Sequence, residues 1–252
     1  MKKMFAAIRP YAALFRTRFF REIQYRAAAF AGIATQFFWG GMEILLFRAF
    51  YETGGETPMT FSQVVSYIWL QQAFLALFML WFWDADIIEC ITKGNIAYEL
   101  ARPLGLYRMW FTRVIAQRCA RALLRCVPIL LIALLLPEPY RLALPANLPA
   151  FLGFLFTMVT GLLVVAAITM LVYVLTFFTM SPSGVRIFAA SIAELLSGAV
   201  VQNLPLRIYS GNLAGKEALL FAVVQLVWLA VLLGISSGLL SVARRRVVVQ
   251  GG

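Results

Sequence analysis

The segment Asp84-Ala-Asp-Ile-Ile-Glu-Cys-Ile-Thr-Lys-Gly-Asn-Ile-Ala-Tyr-Glu-Leu-Ala-Arg-Pro103 decides how this chain must be read. It lies between two long apolar runs, and it is short and mixed in charge. Asp84, Asp86 and Glu89 come early, where the positive end of a helix dipole favours anions. Lys93 comes late, and Gly94 follows where a helix C-terminus takes glycine. Ile87, Ile88 and Ile91 stand at i, i+1 and i+4 and share one side. The pattern predicts a short interfacial helix with an apolar side. A second short element follows, closed by Leu100-Ala101-Arg102-Pro103. We expect this segment to lie on the cytoplasmic side of a membrane and to receive force from a soluble partner.

The flanking runs set the class. Of 252 residues, 62% are hydrophobic and 13% charged, and mean hydropathy is +0.85. A soluble domain of that length needs more polar surface than this composition supplies. The sequence therefore predicts an all-α, polytopic membrane protein. A net charge of +11 would suggest nucleic acid in a soluble chain. Here the bases cluster beside apolar runs, which is the positive-inside pattern, so no nucleic-acid partner is expected.

A span needs about 20 apolar residues to cross about 30 Å of hydrocarbon. Six are expected, near 27–50, 61–83, 112–136, 150–175, 186–204 and 217–243, in a single domain over 27–243. Residues 1–26 carry seven bases against Glu22 alone. Ile8, Phe15, Phe19 and Ile23 recur there near one helical face, with Pro10 at the start of the regular part or at a kink. That predicts a basic amphipathic helix in the inner headgroup layer. Residues 244–252 form a basic tail. All but Arg48, Arg141, Arg207 and Lys216 of the 22 Lys and Arg then fall on one side. Both termini are expected in the cytoplasm, with the chain in the inner membrane of a bacterium. Trp81, Phe82, Trp83 and Trp110 flank the 84–109 loop as an interfacial belt would.

The third span is odd. Arg113, Arg118, Arg121 and Arg125 precede an apolar run of only Cys126 to Leu136. Eleven residues rise about 16 Å, too little to cross, so some arginines must enter the membrane. They either snorkel to the headgroups or pair with protein acids.

No catalytic constellation is visible. There is no histidine, no paired carboxylate motif and no G-x-x-x-x-G-K-[ST], so the chain is expected to be no enzyme and to bind no cofactor. Cys90, Cys119 and Cys126 lack metal-ligand spacing and read as free thiols; no metal site is expected. Two acids sit within apolar spans. Glu194 shares a polar stripe with Ser191, Ser197 and Gln202, and Glu43 lies seven residues after Gln36. Such groups face protein or water rather than lipid, so these residues are candidates for a translocation path or for structural carboxyls. Gly234-Ile-Ser-Ser-Gly238 permits close helix approach, in the core or between subunits.

The stretch Gly94-x5-Leu100-x-Arg102-Pro103-Leu104 resembles the permease subunits of ABC-2 type transporters, in the six-span branch of about this length. The basic amphipathic start, Gln225-x2-Trp228 and the ending Arg246-x3-Gln250-Gly251-Gly252 are also similar, so the likeness covers nearly the whole chain. The resemblance implies an exporter with two permease subunits, identical or paired with a sister. Two separate ATP-binding subunits would carry ATP and magnesium. It makes the loop after the second span the coupling element, here Asp84, Asp86, Ile87, Ile88, Glu89, Ile91, Gly94, Leu100, Arg102 and Pro103. It sets the second and fifth spans beside the central path. The segment Leu204 to Lys216 is shorter and more polar than that family leads one to expect. Two other readings stand beside this one. One is a membrane anchor or regulator of an ATPase that does not itself transport. The other is an ion-coupled carrier, which would show inverted repeats and broken helices with midplane sites.

Overall fold

The computed structural model describes residues 2–24, 26–54, 57–80, 82–179, 183–185, 187 and 201–246. Among them the chain is all-α. In chain order the helices are α1 (Lys2–Ile23), α2 (Arg26–Glu52), α3 (Phe61–Phe78), α4 (Ala85–Thr92), α5 (Ile96–Leu100), α6 (Leu106–Leu135), α7 (Leu148–Thr179), α8 (Asn203–Tyr209) and α9 (Gly215–Arg246). Four stretches, Phe30–Glu52, Phe61–Phe78, Leu148–Thr179 and Gly215–Arg245, are long and apolar enough to cross a membrane. This is the composition and architecture of a membrane protein. The expected spans at 27–50, 61–83, 150–175 and 217–243 correspond to these helices.

α7 is the central post. Its mid-section is apolar on every side, as suits a helix surrounded by others. Thr157, Thr160, Thr169 and Thr176 interrupt it, but each hydroxyl donates to a carbonyl three or four residues back, so no donor is stranded in the interior. α9 packs on α7 through a narrow stripe of Ala222, Gln225, Ser236, Leu240 and Ala243. Leu229, Leu232 and Leu239 pack partly against the core, and much of the remaining surface of α9 between Leu219 and Val242 is exposed and apolar, as is much of α2 from Phe30 to Phe50. Lipid is the solvent that suits such faces. Gly234 and Gly238 lie on that outer side, and an added Cβ on either would meet nothing. The pair therefore packs against nothing among the described residues.

α3 starts with a reciprocal cap. The Thr60 hydroxyl accepts from the Gln63 backbone, and the Gln63 side chain accepts from the Thr60 N–H. The helix ends at Phe78 rather than at 83. The reason lies on α6: Arg118 is buried and donates to the carbonyls of Leu77 (3.1 Å) and Met79 (2.6 Å) and to the Thr169 hydroxyl (3.0 Å). A cation there satisfies carbonyls the helix end leaves open.

The expected span at 112–136 falls in α6, one helix of 30 residues and about 45 Å, which is not one of the four stretches above. Its arginines go to protein groups. Arg113 and Arg118 are buried, and Arg121 pairs with Glu22 (3.0 Å) and lies over the Phe82 ring. Arg125 rests on α2 where Gly32 leaves room: a Cβ there would sit 2.8 Å from its guanidinium carbon. The aromatic belt also differs from expectation, because Trp110 is wholly buried and Trp81 lies outside the described residues.

α1 is helical through Pro10 and runs beside the first half of α6 in the same direction. Tyr11 meets Gly105, Arg18 and Arg21 meet Asp86, and Glu22 meets Arg121. Phe15, Phe19 and Ile23 turn toward the protein as their spacing implies, whereas Ile8 is exposed.

The opposite end of the bundle is closed by the proline-rich 137–147 loop and by α8. Trp69 donates its indole N–H to the Tyr140 carbonyl (2.8 Å), Ala143 N–H donates to Ser66, and Tyr209 donates to the Ala143 carbonyl. α8 is a short buried helix that the sequence reading took as part of an outer loop. The chain reaches it from well inside the bundle. Gln202 donates to the carbonyl of Gln71, ten residues and about 15 Å along α3 from Phe61.

Candidate functional site

Residues 79–106 leave α3, form α4 and α5, and enter α6. Asp84 is the N-cap of α4: its Oδ1 accepts from the Asp86 N–H at 3.0 Å. Lys93 caps the other end, and Gly94 takes a positive φ of 74°, which glycine adopts without steric cost. The start, the stop and the cap residues of α4 were all legible.

The apolar side of α4 turns inward. Ile87 and Ile91 are buried and Ile88 partly so, in a cluster with Ile96, Leu106, Met109, Trp110, Val114, Met170, Tyr173, Val174 and Leu240. Leu100 packs on its edge. Each fully buried isoleucine is worth about 1.5–3 kcal/mol, so Ile87 and Ile91 bind α4 firmly to α6 and α7. These isoleucines belong to the seat of the segment. Its outward side is Asp86, Glu89, Lys93, Gly94, Tyr98, Arg102 and Pro103, all exposed. Tyr98, 76% exposed, is the large aromatic on that side. Glu89 and Lys93 pair along α4, and Arg102 pairs with Glu99 (3.5 Å).

A buried charge fixes the seat. Arg113 on α6 and Asp84 are each 3% exposed, and Arg113 donates from Nε (3.0 Å) and Nη2 (2.8 Å) to one Asp84 oxygen. Its guanidinium also reaches Asp86 (3.5 Å) and Glu99 (3.8 Å). One arginine thus touches the cap of α4, its first turn and the acid of α5. From α7, the Tyr173 hydroxyl accepts the Asp84 backbone N–H at 2.7 Å. The Trp110 indole donates to Glu99 (3.3 Å). From α1, Arg18 (3.1 Å) and Arg21 (3.4 Å) hold Asp86. Burial raises the Asp86 pKa, but the Arg18 hydrogen bond and the charges of Arg21 and Arg113 outweigh it and hold the carboxyl below its ordinary value. Burial, with Glu99 nearby, pushes the Cys90 thiol up to about 11, so it stays protonated and unreactive at neutral pH.

Three helices, α1, α6 and α7, therefore converge on α4 and α5. Sequence reasoning placed the segment but missed Arg113, Tyr173, Arg18 and Glu99 as its holders. Arg113 carried one signal, a base between apolar Phe111 and Val114, but nothing local pointed to Asp84, 29 residues away.

The candidate path residues divide. Glu43 is partly buried on α2 and accepts from Gln72 on α3 at 3.4 Å. Gln36 is buried on the same helix with no hydrogen-bond partner for either amide atom among the described residues. Gln202 sits against α3, and the side-chain amide of Gln225, fully buried, meets the Thr160 hydroxyl. Ser191, Glu194 and Ser197 lie outside the described residues. The structure brings Glu43 near α3 but does not bring Glu43 and Gln202 into hydrogen-bond contact.

No protein-family model, curated protein or solved structure matches the chain.

Proposed function

We propose that this chain is the membrane-spanning permease subunit of an ATP-driven exporter of the ABC-2 type. It crosses the inner membrane of a bacterium six times, with both termini in the cytoplasm. It pairs with a second permease, identical or a sister. Separate ATP-binding subunits supply ATP, magnesium and the hydrolysis.

The observation that carries this reading is the seating of α4 and α5. A polar segment is locked to α6 by a buried ion pair and to α7 by a backbone hydrogen bond to Tyr173, and it presents a charged outward side with an exposed Tyr98. A push on that side is delivered to α6 through Arg113 and to α7 through Tyr173. Floppy loops absorb force, whereas this one passes it on. The Leu100-x-Arg102-Pro103 spacing and the absence of a P-loop in the sequence support the same assignment.

The test is a cross-link. A cysteine at Tyr98 or Glu89, in the complex purified from native membranes, should join to an ATP-binding subunit, and reconstituted export should be blocked by vanadate. A segment that cross-links only to lipid, or transport that runs on an ion gradient without ATP, would sink the assignment. One observation favours a second reading, an ion-coupled carrier. Non-helical backbone at Val201 and Gln202 lies beside Gly161 and Gln71 within the bundle, and irregular backbone at such depth serves carriers as ion sites. The ion-gradient arm of the test separates the two.

A further inference from the structure

α1 has two sides, and only one is occupied by protein. Tyr11, Leu14, Phe15, Arg18, Phe19, Glu22 and Ile23 turn toward the bundle. On the other side Arg9, Arg16 and Phe20 stand at i, i+7 and i+11 and are all exposed, with the Arg16 guanidinium over the Phe20 ring. Neither Arg9 nor Arg16 has a carboxylate partner among the described residues. The helix's one acid, Glu22, is turned away to Arg121. Arg21 occupies the edge between the two sides. It is 51% exposed, and it reaches Asp86 at 3.4 Å, the longer of that carboxylate's two contacts from α1.

Position adds to charge. α1 passes within a few residues into α2, whose exposed apolar surface begins at Phe30. The basic side therefore lies at the level where hydrocarbon gives way to headgroups. Phe20 can enter the acyl boundary while the neighbouring guanidiniums stay among phosphates.

We propose that this side of α1 is a binding surface for anionic phospholipid headgroups, formed by Arg9 and Arg16 and joined at its edge by Arg21. The surface needs only the membrane placement of the chain. Its consequence for coupling rests on the function proposed above. Arg21 is shared between lipid phosphate and Asp86, so the charge of the leaflet bears on how firmly α1 holds α4.

The test uses the full chain in phosphatidylcholine nanodiscs doped with spin-labelled phosphatidylglycerol, reading the immobilised fraction against spin-labelled phosphatidylcholine. The wild-type chain should prefer phosphatidylglycerol, and the preference should fall as salt is added. Each arginine lost should reduce the affinity at this surface by about fivefold. Arg9→Gln with Arg16→Gln should therefore abolish most of the preference, while Arg9→Lys with Arg16→Lys should keep it. Asp86→Asn, which frees Arg21, should increase it. Equal binding of the two lipids by the wild type overturns the proposal, as does a full preference in the glutamine pair. Loss in the lysine pair as complete as in the glutamine pair also overturns it, because charge would not then be what is recognised. No gain in Asp86→Asn removes Arg21 from the surface. None of these readouts involves transport, so they stand apart from the fate of the exporter reading.

Discussion

Replacing Asp84 by Asn separates the two jobs of that residue. Asparagine caps a helix as well as aspartate does, so the bond from the Asp86 N–H survives. The charge does not survive. Arg113, 3% exposed, is then left with Asp86 at 3.5 Å and Glu99 at 3.8 Å in place of contacts at 2.8 and 3.0 Å. Removing one member of a buried pair typically costs about 3–5 kcal/mol, because the other charge stays buried without compensation. The two remaining acids lower that figure, and about 2–3 kcal/mol is the expected loss at the seat of α4. It should appear as a rise of roughly 30–150-fold in opening of residues 85–100, since about 1.4 kcal/mol is a factor of ten. Hydrogen exchange followed by mass spectrometry on the full chain in nanodiscs reads this directly. Amides of α4 and α5 should lose protection while the middle of α9 does not. Arg113→Met should do the same, and Asp84→Asn with Arg113→Met should recover part of the loss, because the cap is kept and that pair strands no charge. Unchanged protection of α4 in both single variants would refute the view that this pair fixes the segment.

Three further outcomes follow from other contacts. Arg118→Met leaves the Leu77 and Met79 carbonyls without their donor, at about 1–3 kcal/mol for each group, and should lower the thermal midpoint by several degrees. Arg118→Lys should recover part of that. Gly161→Ala puts a methyl 2.9 Å from the Val201 carbonyl oxygen, 3.0 Å from Phe78 and 3.1 Å from the Gln225 amide nitrogen. Backbone cannot yield there, so a cost of about 1–3 kcal/mol is expected in denaturant titration. Asp86 titrates below its ordinary value, so its contribution is present above the unfolded carboxylate pKa and is lost as pH falls through the folded one. Exchange protection of α4 should hold from neutral pH to about pH 4 and decline below it, and Asp86→Asn should remove the part of that decline that Asp86 contributes.

What the sequence disclosed follows from how local each signal is. The α4 boundaries were readable because Asp84, Lys93 and Gly94 act on the backbone beside them. The apolar runs announced the long helices because span length and hydropathy are properties of consecutive residues. The holders of the segment were hidden because their contacts join distant parts of the chain. Arg113 reads in sequence as one more base at a membrane flank, and Tyr173 as one aromatic in an apolar run. Only packing brings each to Asp84. The early end of α3 was hidden for the same reason, since Arg118, 39 residues beyond Met79, supplies the cap. α8 was obscured by Asn203, Pro205 and Arg207, which give its sequence the look of a loop, while Leu204, Leu206 and Ile208 carry its burial.

The arginine cap on α3 has a kinematic consequence. Arg118 belongs to α6, its acceptors lie at the end of α3 and on α7, and all three bonds are 3.1 Å or shorter. Sliding α6 by half a turn would break all three, sliding α3 two of them and sliding α7 one. At this end of the molecule α3, α6 and α7 must therefore travel as one rigid body. A displacement of α3 at this end is thereby transmitted to α6 through two bonds and on to α7 through the third.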